Sequence, residues 1–71
     1  MFRLILENNN YIHIEGFKLI KNFDNYHILL QTSKYIIEIE GSGFMLYELG
    51  KSDIKICGTV NNIKYTSIYE D

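Results

Sequence analysis

Two histidines, one cysteine and a pair of alternating glutamates are the side chains of this 71-residue chain that could carry chemistry. An imidazole can ligate a metal or act as a general base. His13 and His27, however, each alternate with apolar neighbours and have no Asp/Ser or Cys arrangement beside them in sequence. With so few ligands available, half-exposed strand residues on an outward face are the better reading of both. Cys57 could be a nucleophile, but no nearby histidine or cationic cluster would favour its thiolate, so it reads as a structural or surface thiol. Glu38 and Glu40 project from one strand face, where two carboxylates could serve acid/base work or calcium. Both uses need oxygens converging from several segments, and only Glu15 stands as an equivalent third, so a solvated face is favoured. Gly41-Ser42-Gly43 looks like a fragment of a phosphate-binding loop, yet it precedes a strand and lacks a following Lys-Ser/Thr; it reads as a turn. These residues predict no catalytic, cofactor-binding or metal site, and a protein that is not an enzyme.

The elements that hold these residues are marked by a pattern used three times, Ile-x-Ile-x-Gly, at residues 12–16, 37–41 and 54–58. Alternate isoleucines share one side of a strand, and the glycine allows a bend or turn where a Cβ would obstruct it. Gly16, Gly41 and Gly58 are therefore expected at structural turns. Segments rich in β-branched and aromatic residues lie between turn signals spaced eight to ten residues apart. They predict strands over 2–7, 11–15, 17–23, 26–32, 35–40, 44–49, 53–57 and 63–69. Strict alternation fails at Leu19-Ile20, which suggests a bulge or an exchange of faces.

Hydrophobic residues form 46% and aromatics 14% of the chain, with no proline and no helical period over three turns. A single all-β domain spanning 1–71 is expected: an antiparallel meander of about eight short strands, curled into a rolled sheet or small sandwich. A short β-solenoid is the alternative, but the three motif copies stand 25 and then 17 residues apart, too uneven for uniform rungs. The expected inward set is Leu4, Ile12, Ile14, Phe17, Ile28, Leu30, Ile37, Ile39, Phe44, Leu46, Ile54, Ile56 and Ile63.

Seven basic and nine acidic side chains give a net charge of −2 and are scattered singly, which argues against nucleic acid as a partner. No apolar stretch reaches the roughly 20 residues of a spanning helix, and the N-terminus lacks the pattern of a signal peptide. The expectation is a cytoplasmic chain without direct membrane insertion. One cysteine cannot form an internal disulfide, which fits a reducing compartment.

A core this small leaves only a few kcal/mol of net stability, so covering further apolar surface by association would help it. Self-association into a homo-oligomer is expected. The six tyrosines fall mostly at strand ends or opposite the isoleucines, and tyrosine is enriched in interfaces. Leu29, Met45, Tyr47, Tyr65 and Tyr69 are the candidate interface, with ordinary cross-strand packing as the alternative. An unpaired strand edge is a second possible contact.

The succession Ile12-x-Ile14-x-Gly16-Phe17, Phe23-Asp24, Leu30-x-Thr32, Ile37-x-Ile39-x-Gly41-x-x-Phe44-x-Leu46-x-x-Leu49, and Ile54-x-Ile56-x-Gly58 with Ile63-x-Tyr65 resembles the YabP/YqfC family of sporulation proteins. It departs from that pattern at Tyr35, where the family often has glycine, and at Phe44, where an aliphatic residue is usual. The resemblance implies a non-enzymatic role in endospore formation in the mother cell. It also implies an adaptor or assembly component at the forespore membrane or spore coat, with a multi-pass membrane protein of sporulation as partner and peripheral placement at the forespore outer membrane. It supplies no catalytic residues. A generic self-associating β interaction module unrelated to sporulation is the competing reading of the same residues.

Overall fold

A computed structural model describes residues 2–8 and 10–68. Six strands form one sheet: β1 (Arg3–Glu7), β2 (Tyr11–Glu15), β3 (Leu19–Phe23), β4 (His27–Gln31), β5 (Tyr35–Leu49) and β6 (Asp53–Ser67). Their order across the sheet is β1-β2-β6-β5-β4-β3, and every pair is antiparallel. Stacked solenoid rungs would pair parallel, so the alternative architecture is excluded.

Two of the expected turns are bends inside long strands, which reduces about eight strands to six. Gly41-Ser42-Gly43 lies within β5, where the register against β6 slips between Glu40 and Gly41 and again between Ser42 and Met45. Asn61-Asn62 likewise lies within β6. A glycine-rich stretch permits both a reversal and a bulge, and here the partner strand keeps pairing through it. The expected strand at 17–23 begins only at Leu19, with its bulge between Ile20 and Asn22. Strand 63–69 is part of β6, and its last residue, Tyr69, lies outside the described residues.

The bend divides the β5–β6 hairpin into two halves. The first half of β6 carries the β1–β2 hairpin through Ile12↔Ile56 and Ile14↔Ile54. The first half of β5 carries β3–β4 through Ile28↔Ile39 and Leu30↔Ile37. Ile28-x-Leu30-x-Thr32 thus holds the place of a fourth Ile-x-Ile-x-Gly copy, with Thr32 where the others have glycine. The eight aliphatic residues of these four strand segments, with Phe17 and Phe44, make a single buried cluster. No helix is present among the described residues to cover it, so the two halves of the sheet cover each other. A thickness of 19 Å along the shortest axis agrees with a sheet rolled into two layers about 10 Å apart.

Phe44 sits at the fold of the roll. A Cβ on Gly41 would collide with the carbonyl oxygen of Thr59 and come within 2.7 Å of the Phe44 ring, and one on Gly58 would stand 2.6 Å from the same ring. Gly58 also has φ +142°, a conformation that L side chains rarely adopt. Gly16 does make a turn: it leaves β2 at φ 85° and donates its N–H to the carbonyl oxygen of Ser52 at 2.9 Å.

Ten of the thirteen expected core residues are buried, and Leu4 and Ile63 pack half-buried against them. Leu46 is the exception. Its parity is as expected, since it stands opposite Ile56, but it is exposed because no further strand among the described residues lies beyond it.

Candidate functional site

The sheet places each histidine beside a carboxylate. His13 on β2 stands opposite Lys55, with its Nε2 3.3 Å from Oδ2 of Asp53 on β6. His27 on β4 lies 2.6 Å from Oε2 of Glu38 on β5, and Asn22 contacts its other ring nitrogen at 3.2 Å. Both pairs are half exposed on the outer side of the sheet, where ion pairs are worth at most about 1 kcal/mol. Glu40 accepts from Asn62, and Glu15 pairs with Arg3 at 2.7 Å, so the three glutamates are held by three different partners. Among the described residues no three His, Cys, Asp or Glu side chains gather as a metal site would require. Cys57 is half-buried between Tyr11 and Met45 in the outer row.

Apolar exposure is concentrated at one place. Among the described residues, four of the eleven large exposed hydrophobic side chains fall within residues 45–49: Met45 at 65%, Leu46 at 42%, Tyr47 at 52% and Leu49 at 62%. Register explains how they are arranged. Met45 stands opposite the outward Cys57, whereas Leu46 and Leu49 stand opposite the buried Ile56 and Ile54. Tyr47 is the extra residue of a bulge, and its ring meets the edge of Tyr11 with centroids 5.9 Å apart. Both faces of this part of β5 are therefore apolar. Its single charge, Glu48, lies 3.7 Å from Lys55 of β6.

This segment is also a free edge. Strand β4 pairs with β5 only over residues 36–40, and the β3–β4 turn closes the contact where Phe44 N–H donates to the carbonyl oxygen of Asn25. Beyond Phe44, β6 is the only neighbour of β5 among the described residues.

The five candidate interface residues are not brought together. Met45 and Tyr47 share the strip, while Leu29 sits in the other half of the sheet, half-buried opposite Glu38. Tyr65 is opposite Ile37, so it lies on the inward face at its open end, not on the outer one. There it joins Phe2 and Tyr35, each edge-on at 6.1 Å, in an open cleft of about 440 Å³ completed by Gly16, Thr32, Ser33 and Lys34. Tyr69 lies outside the described residues. Leu46 and Leu49 belong to the strip although tyrosine placement alone does not mark them. Their signal is Met45-Leu46-Tyr47-x-Leu49, where apolar residues occupy both parities of one strand.

An all-β roll with glycines at one turn and two strand bends, and a surface given to exposed apolar residues, matches the family model described as the YabP family over residues 2–70. The chain belongs to the YabP family. No curated protein and no solved structure matches it. YabP-family membership suggests a sporulation-related protein. The departure at Tyr35 has a local explanation in this member of the YabP family. Thr32 Oγ1 accepts from the N–H groups of Lys34 and Tyr35 at 3.2 and 3.0 Å, which closes the turn without a positive φ at position 35.

Proposed function

We propose that this YabP-family protein acts without catalysing a reaction, as a small adaptor or assembly component in the mother cell of a sporulating bacterium. Its place is the cytoplasmic side of the forespore outer membrane or the spore coat, with a multi-pass membrane protein as partner. The observation that carries this reading is the family match over residues 2–70. The apolar strip at residues 45–49 supports a binding role, because contiguous exposed apolar surface on a small domain marks interaction sites. No helix among the described residues is long and apolar enough to cross a membrane.

The experiment is affinity purification of the tagged protein from detergent-solubilised membranes of sporulating cells against a vegetative control. Recovery of a multi-pass membrane protein only during sporulation is the expected result. Recovery of the protein alone under both conditions would overturn the adaptor reading.

A further inference from the structure

We propose that residues 45–49 form the dimer interface of this protein, pairing antiparallel with the same segment of a second copy across a two-fold axis. This rests on the reading of the chain as an assembly component and names its first partner as itself.

Among the described residues four strand segments lack a neighbour on one side, and three carry a lysine or arginine, which guards against edge pairing. β1 presents Arg3, β3 presents Lys21, and the second half of β6 carries Lys64. Residues 45–49 carry no lysine or arginine and expose four apolar side chains. They are also where the core stops short. The inward rows Ile12–Ile56–Leu46 and Ile14–Ile54–Leu49 end on leucines that face the interior side of the sheet yet remain exposed. One more strand would continue both rows and bury those leucines.

Charge selects the occupant. Glu48 is already matched by Lys55 of its own chain, so the strip is neutral and offers an acidic or basic partner strand no counter-charge. A second copy brings the same neutral strip. Antiparallel pairing that sets Leu46 opposite Leu49 of the other copy keeps inward side chains opposite inward ones, so the two leucines are self-complementary, and it places Glu48 opposite Tyr47 with no like charges in register. Because the contact is isologous it closes at two chains and does not propagate into a fibre.

The test is sedimentation velocity over a hundredfold concentration range, with hydrogen exchange at both ends of it. The wild-type chain should dimerise, with the amides of residues 45–49 slowing at high concentration. Leu49→Lys and Met45→Lys should each weaken dimerisation at least tenfold with the β circular dichroism spectrum kept. Leu6→Lys, on the β1 edge, should leave it unchanged. A wild-type monomer throughout, a dimer whose protected amides lie elsewhere, or a dimer indifferent to both Leu49→Lys and Met45→Lys would each overturn the proposal. Purified protein suffices, so failure here is separable from failure to recover a membrane partner in sporulating cells.

Discussion

The ring of Phe44 occupies the space that a side chain on Gly58 would need: its Cδ1 lies 2.6 Å from where that Cβ would stand. Phe44 is on β5 and Gly58 on β6, and their contact is the fold line about which the two halves of the sheet close.

Gly58→Ala should therefore destabilise strongly, by at least about 1–3 kcal/mol from the positive φ alone, with displacement of the ring in addition. Phe44→Ala should cost about 3–5 kcal/mol. Urea unfolding of both single variants and the double variant checks the link. Coupling below about 0.5 kcal/mol would mean that the two residues act independently.

Ile39→Ala removes a fully buried side chain from the middle of the core and should destabilise by about 2–5 kcal/mol. Tyr47→Glu should cost only about 1 kcal/mol, chiefly its contact with Tyr11, while impairing association. The thermal melts of the two variants give the comparison. A Tyr47→Glu chain that unfolds would show that the tyrosine is part of the core.

Thr32 is the one buried polar residue among those described, at 4% exposure, and its hydroxyl oxygen receives two backbone N–H groups. Thr32→Val keeps the shape and loses both acceptor contacts, for a cost of about 1–3 kcal/mol. Thr32→Ser should recover most of it. Equal stability of the Val and Thr proteins would show that the turn holds without the hydroxyl.

Asp24 closes the β3–β4 turn by accepting from Tyr26 N–H at 2.8 Å and His27 N–H at 2.7 Å. The Tyr26 bond, aided by Asn22 and His27, outweighs the opposing desolvation and holds the carboxyl below its ordinary value of 3.8. The folded value being depressed, the turn is stabilised above the unfolded value, and the benefit is lost as pH falls through the folded one. The amide shifts of Tyr26 and His27 should titrate together with a midpoint below 3.8. A midpoint at or above that value would contradict the hydrogen-bonded arrangement.

Alternation along the chain was enough to place the core. Ile12, Ile14, Ile28, Leu30, Ile37, Ile39, Ile54 and Ile56 are all inward, because side-chain parity is a property of the strand itself. Parity also put Leu46 on the correct face, but whether that face is covered depends on a neighbouring strand that local sequence does not name. Tyr65 shares the parity of Ile63 two residues before it, so its inward face was legible from the strand alone, whereas its exposure at the open end of the roll depends on which strands close over it. Glycine content could not separate a reversal at Gly41-Ser42-Gly43 from a bend, since both use the same backbone freedom, and only continued pairing with β6 decided it. The sequence by itself determined an all-β chain of this family and most of its interior. The pairing of β2 with β6, the roll about Phe44, and the apolar edge left at residues 45–49 were decided by contacts between residues far apart in the chain. Those contacts depend on which strands the closing sheet brings together, a property that no local pattern carries.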